Sequence, residues 1–439
     1  MQEFNKKRLF IASCFALITT AFAFAIRAGI MTEIQNELTL SAEQLGVINL
    51  MAFLGFPVAT IVGGILYNVI GAKRMVWIAF GCHLIGILTT IFAGDFLTLL
   101  FSNFFIGFAN GTVEAAFNPL VANMYKNNQT TMLNRFHVWF PGGIFLGSLI
   151  TLALSGAGWQ TQVAVMLVPM IIYGVLFWGQ KFPEAEDAGQ TSIANNLKGI
   201  FSPLYLFMIA CMVLTSNTEL STQQWIELLM KGSGVPGLWV LVLVTGLMAV
   251  GRSFAGPVVH RLNPIGVLFS SAIIACLAIF LMSKAQSAPT AIAAAVLFAI
   301  GVCYFWPTMI GFTGEYIPKS GALGMSLMGG AGMFATAMLQ PVVGGWFDSA
   351  RISGAGALGH IVPSGLKGQD LAEFFKGLGA DIVAQIDLTA GPIVLTKLLI
   401  FPMILIVAFG ILFAMRKQLE TRRHVVTDPD MTEVVGRLG

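Results

Sequence analysis

Twelve apolar runs of roughly 20 residues or more follow one another along this chain. A helix needs about 20 mostly apolar residues to cross a bilayer. The runs cover about 9–31, 43–67, 75–93, 97–122, 131–153, 160–180, 202–229, 236–259, 265–283, 289–315, 320–347 and 393–415. Turn and charge signals separate them: Asn68 to Arg74, Gly94-Asp95, Lys126 to Asn128, Arg261 to Pro264 and Pro318-Lys319. In lipid only helices and closed barrels satisfy every backbone polar group. These runs are too long and too continuously apolar for barrel strands. The expected fold is an all-α membrane protein with twelve transmembrane helices.

Composition agrees. Hydrophobic residues make up 56% and charged residues 10%, where soluble domains carry about one quarter charged. That excludes a cytosolic enzyme, a disordered chain and a secreted disulfide scaffold. The five cysteines all lie inside apolar runs without metal-ligand spacing and read as small buried hydrophobes. The net charge of +3 forms no basic stripe interleaved with aromatics, so no nucleic-acid partner is expected. Lys6-Lys7-Arg8 before the first run resembles a signal peptide, but eleven more runs follow, so it reads as a retained first span.

Lysine and arginine fix the expected orientation. With the N-terminus inside, the cytoplasmic loops hold most of them, including Lys73, Arg74, Lys126, Lys181, Arg261, Lys319, Arg416 and Lys417. The outer side holds only Lys231, Lys284, Arg351, Lys367, Lys376 and Lys397. Both termini are therefore expected in the cytoplasm, in a cell (inner or plasma) membrane.

The polar stretch 181–200 splits the runs into six plus six. The expected organisation is an N-terminal six-helix bundle over 1–180 and a cytoplasmic linker over 181–200. A C-terminal six-helix bundle over 201–416 and a cytoplasmic tail over 417–439 complete it. Gly64, Arg74 and Gly142-Gly143 recur as Gly251, Arg261 and Gly329-Gly330 at one constant offset, which suggests a parallel internal repeat. In the outer loop 349–392, Leu371, Phe374, Phe375 and Leu378 share a helical face. An amphipathic segment at about 366–384 is expected to lie on the outer membrane face, as a structural cap rather than a functional lid.

Gly64-Ile-Leu-Tyr-Asn68-Val-Ile-Gly71-Ala-Lys73-Arg74 joins the second and third spans. It resembles the signature loop of the major facilitator superfamily, with Asn68 where that loop carries an acid. The resemblance covers the whole chain and implies two six-helix bundles rocking about a central site. A narrower resemblance is to the fucose–proton symporter family. Glu114-Ala-Ala-Phe-Asn118-Pro119 is similar to its fourth span. Leu133-Asn134-x-x-His137 before Gly142, Gly143 and Gly147 resembles its fifth, Glu219 with Trp225 its seventh, and Trp306-Pro307-Thr308 its tenth. The family moves fucose or related sugars with protons, using acids in the first and fourth spans. This chain has Arg27 and no acid in the apolar part of its first span.

An ionisable residue within a span costs several kcal/mol unless paired or hydrated, so each is a functional candidate. Glu114 leads as proton carrier, with His137 as relay; Asn110 and Asn118 lie on nearby faces and would line the same cavity. The bland alternative for Glu114 is a helix-packing hydrogen bond. Arg27 and Glu219 sit at similar heights and would pair across the bundles; otherwise Arg27 snorkels outward. Sugars need dense hydrogen bonding and an aromatic plate, which Glu219, Gln223, Gln224 and Trp225 offer, as do Tyr304 and Trp306, with Asn134 completing the candidate substrate set. A frayed, Trp-anchored helix end competes with that reading. Arg252 reads as a structural pairing residue, and Glu315 and Asp348 as interface residues.

The expected function is proton-coupled uptake of a sugar by alternating access, by a monomer with no cofactor or metal. The partners are a small-molecule substrate, protons and the lipid bilayer. The alternative is transport of a small organic anion, with Arg27 or Arg252 as the carboxylate clamp. No His-Glu-x-x-His, Gly-x-Ser-x-Gly or Gly-x-x-x-x-Gly-Lys motif supports an enzyme or a nucleotide-driven pump.

Overall fold

A computed structural model describes residues 4–38, 42–154, 156–183, 193–235, 237–366 and 368–427. Among them are eleven helices long and apolar enough to span a membrane, plus a shorter apolar helix, Trp239–Ser253. The spans reach Lys6–Arg27, Leu50–Tyr67, Val69–Ile91, Phe96–Met124, Lys126–Ala153 and Trp159–Phe177 in the first half. In the second half Pro203–Ser221 is followed by the shorter helix, then Ala255–Lys284, Ala288–Tyr316, Pro318–Ala357 and Asp381–Ala414.

Two turns show how sequence sets the topology. The second and third spans join at Gly71, whose backbone is left-handed (φ 75°, ψ 164°). Glycine takes that conformation without a Cβ clash. The corresponding turn in the second half is at Asn263 (φ 53°, ψ 168°). Its side-chain oxygen accepts from the Gly266 N–H at 2.9 Å, capping the next helix just before Pro264. Arg74 follows its turn, whereas Arg261 precedes its own. The offset linking Gly64 to Gly251 and Arg74 to Arg261 therefore does not superpose these turns. The Asn68 side chain lies outside the described residues.

The fourth span packs backbone to backbone on the second. A Cβ on Gly107 or Gly111 would overlap the carbonyl oxygens of Ala52 and Phe56. This contact fixes the rotation of the fourth span and hence where Glu114 points.

Both ends of the described chain meet one face, the terminal face. Phe10 meets Tyr125 edge to face at 5.9 Å. Arg8 donates to the carbonyls of Leu176 and Val175, and the Tyr316 hydroxyl donates to Glu420. On this face the two halves are tied together. Thr130 donates its backbone N–H (2.8 Å) and its hydroxyl (2.6 Å) to the Glu315 carboxylate. Glu315 thus supplies negative charge at a helix N-terminus, where it is favoured. Of the stretch 181–200, residues 184–192 lie outside the described residues, and Ile193–Ile200 is helical.

The long outer loop is shorter than the sequence suggests. The eleventh helix runs on to Ala357, and helices cover Gly368–Gly377 and Ala380–Leu398. Arg351 and Asp387 look like loop charges but form a bidentate pair at 2.6 and 3.0 Å. The Asp387 carboxylate is buried. The amphipathic helix is present, but its Leu371 and Phe375 pack on Ala355 and Ile386. Its apolar face thus covers the chain's own helices and is not turned to lipid.

Candidate functional site

Two prolines prepare the centre of the protein. A proline has no N–H, so the carbonyl four residues before it loses its helical partner. Pro141 does this to His137, and Pro307 to Cys303. The fifth span is interrupted at Val138, and the tenth at Cys303 and Tyr304. Arg252 takes up both carbonyls: Nη1 donates to His137 at 2.9 Å and Nε to Cys303 at 2.6 Å. Nη2 lies 3.3 Å from Glu219 Oε1. One buried guanidinium thus joins the fifth, seventh, eighth and tenth spans. Glu219 itself sits on a π-helical turn, Asn217–Ser221, a local widening that often marks functional sites. Its Oε2 is buried without a hydrogen-bond partner.

On the other side of the site, Asn118, just before Pro119, donates to Glu114 Oε2 at 2.6 Å. Its Oδ1 lies 3.0 Å from His137 Nε2. With Oδ1 as acceptor, that imidazole nitrogen carries the hydrogen, an assignment set by the network. His137 Nε2 is also 3.7 Å from the Glu114 carboxylate. Glu114, His137, Glu219, Arg252 and Trp306 line one cavity of about 20 Å³, with Phe56, Phe140, Leu220 and Met333 as its apolar wall. That is room for a water. Small-molecule sites are of order 300 Å³ or more, so the cavity in this state is too small for one.

The cavity thus gathers Glu114, His137, Glu219 and Trp306 from the sequence candidates. Tyr304 sits beside it, its hydroxyl donating to the Gly251 carbonyl at 2.6 Å. The rest lie elsewhere. Asn110 accepts from His83 at 2.9 Å, whose other ring nitrogen meets the Tyr173 hydroxyl at 3.0 Å. Asn134 bonds the Thr130 carbonyl and reaches Thr308 across the halves at 3.3 Å. Gln223 meets the Met248 sulfur, and Trp225 stacks on Phe347 at 5.3 Å. The Gln224 side chain lies outside the described residues.

The expected Arg27–Glu219 pair is not formed. Arg27 lies over the rings of Phe24 and Phe53 at 5.3 and 5.2 Å, and has no carboxylate partner among the described residues. It lines a separate, mostly apolar pocket inside the N-terminal bundle. Similar height along two helices does not fix which faces meet; Glu219 turns to Arg252 within its own half. The sequence reads Arg252 as a pairing residue, and it pairs with Glu219, but its bonds to the two carbonyls, the Thr130–Glu315 contact and the His83 network went unread. Two of them had a signal: prolines four residues after His137 and Cys303 for the carbonyls, and a polar residue within an apolar run for His83.

The model of the Major Facilitator Superfamily matches residues 13–340. The chain belongs to this superfamily. It is therefore a multi-pass membrane transporter and not an enzyme. A hexuronate transporter of Bacillus subtilis is 24% identical over 178 residues, 39% of this chain and 40% of the relative. A probable nitrate transporter, NarT, of Staphylococcus haemolyticus is 23% identical over 201 residues, 44% of this chain and 50% of the relative. The chain thus spans half or less of these relatives' length. The crystal structure of a variant of the E. coli fucose:proton symporter FucP superposes with a TM-score of 0.65 at 15% identity, covering 90% of this chain and 98% of that one. That likeness shows the fold.

Proposed function

We propose that this transporter takes up a sugar together with protons by alternating access, with the Glu114 carboxyl as the proton carrier. The observation that carries this reading is the shared cavity. Two buried carboxylates, Glu114 and Glu219, face it with one permanent cation, Arg252. With His137 neutral, that set has one negative charge too many when both acids are ionised. A buried excess charge is costly, so the closed site favours one added proton. A proton on Glu114 leaves the Arg252–Glu219 pair intact and the Asn118 amide still beside the carboxyl. Releasing that proton needs water, which reaches the site when the halves separate.

Trp306 supplies an aromatic wall for the C–H face of a sugar, and Glu219 and Asn118 supply polar groups. Arg27, Asn110, Gln223 and Trp225 serve, on this reading, in packing around the site. The transporter works as a monomer in the cell (inner or plasma) membrane with both termini in the cytoplasm. Uptake into proteoliposomes, with and without an inward proton gradient, tests it. Glu114→Gln should abolish uphill accumulation and keep sugar exchange. Uphill accumulation in Glu114→Gln would refute the coupling role.

A second reading is a small organic anion, with Arg252 as clamp. Arg252 commits three of its five N–H groups, so two can meet a substrate carboxylate. A sugar acid would suit both features of the cavity, and one relative is named for hexuronate. Uptake of a uronate but not of its neutral parent sugar would favour this reading.

A further inference from the structure

A second feature lies on the outside of the N-terminal half. Trp77 stands on the third span, three and four residues after Arg74 and Lys73. That spacing puts all three on one helix face. Trp178 ends the sixth span, and Lys181 follows it. The two indoles meet edge to face at 5.8 Å, and Trp77 meets Phe80 at 5.6 Å. Gly174 makes room for Phe80, whose ring a Cβ there would overlap. The result is an open groove of about 420 Å³ along the third and sixth spans. Ile171 and Val175 form its exposed wall, and Trp178 is 73% exposed.

The groove ends at Arg8. Its Nε donates to the Leu176 carbonyl at 2.8 Å and its Nη2 to Val175 at 3.2 Å. These bonds hold a positive charge at the C-terminal end of the sixth span. Lys7, Lys73, Arg74 and Lys181 stand exposed within a few residues of the lining. Among the described residues, no acid lines the groove.

The geometry points to this groove as a binding site for a phospholipid with a net anionic headgroup, drawn from the leaflet at the terminal face. The exposed Ile171, Val175 and Trp178 take the acyl chain. The indoles sit at the depth where amphipathic rings are favoured, and the basic collar meets the phosphate. Basic residues beside a membrane surface attract anionic lipid at about 1 kcal/mol each, roughly fivefold in affinity. A second copy of the chain is a poorer occupant. A two-fold interface would set each basic collar against its own image.

The full-length protein is reconstituted in phosphatidylcholine bilayers containing an equal small fraction of acyl-brominated phosphatidylglycerol or acyl-brominated phosphatidylcholine. Tryptophan quenching is then read. The expected result is stronger quenching by the anionic lipid, and loss of that difference in the folded Trp77→Phe/Trp178→Phe variant. Lys7→Gln/Lys181→Gln, at exposed positions, should lower the preference for the anionic lipid roughly fivefold per charge removed. Equal quenching of the wild type by the two lipids overturns the site. So does a preference that survives loss of both indoles, one that ignores the lysine changes, or quenching that fades as protein crowds the bilayer, the sign that a second copy covers the groove.

Discussion

Arg252 supplies the hydrogen bond that Pro141 denies to the fifth span. The proline leaves the His137 carbonyl without a helical donor, and the guanidinium reaches it at 2.9 Å from the eighth span. The same side chain does this for the Cys303 carbonyl upstream of Pro307. A kink in each half is thereby read by one cation, and only the His137 bond crosses between the halves. A parting of the halves would break that bond, while the bonds to Glu219 and Cys303 lie within the second half.

Replacing Arg252 by Met should be among the most harmful single changes in the protein. It strands Glu219 and two carbonyls in a dry core, and breaking a buried ion pair costs about 3–5 kcal/mol. Thermal denaturation in detergent should show a large fall in Tm. The Arg252→Met/Glu219→Leu variant should regain part of it. An additive double variant would mean that the pair is not energetically coupled.

Asn118→Leu removes the amide between Glu114 and His137. The loss leaves two buried polar groups unpaired, at about 1–3 kcal/mol each. On the proposed proton coupling, wild-type uptake should rise as the outside becomes more acidic, and the variant should lose that dependence. Initial uptake rates from about pH 5 to 8 check the second part, and thermal denaturation in detergent checks the first.

Glu315→Gln weakens the contact that ties the two halves at the terminal face. Hydrogen bonds to a charged group contribute about 1.5–3 kcal/mol, so closure there should weaken by roughly tenfold or more. Thr130→Val should act the same way, and the double variant should add little. Thiol labelling of a cysteine placed beside Thr130 should speed up in all three. Unchanged labelling would show that the contact does not hold the face closed.

Gly107→Val should prevent stable folding. Its Cβ would overlap the Ala52 carbonyl oxygen on the second span, and a rigid backbone neighbour cannot move aside. Gly81→Val, on the third span where nothing lies within 4 Å of a Cβ, is the control. Yield of monodisperse protein distinguishes the two.

The twelve spans, the turn at Gly71, the cap before Pro264 and the buried acids at 114 and 219 were fixed by the sequence. Each depends on local rules: run length, φ preference, or the cost of charge in lipid. Which acid meets which cation was not local. Helix height is a sum of rises along one chain and can be counted. Helix rotation depends on contacts such as Gly107 against Ala52, and on the π-turn that carries Glu219. Only the packed structure therefore turned Glu219 to Arg252, left Arg27 among phenylalanines and closed the outer loop with an Arg351–Asp387 pair.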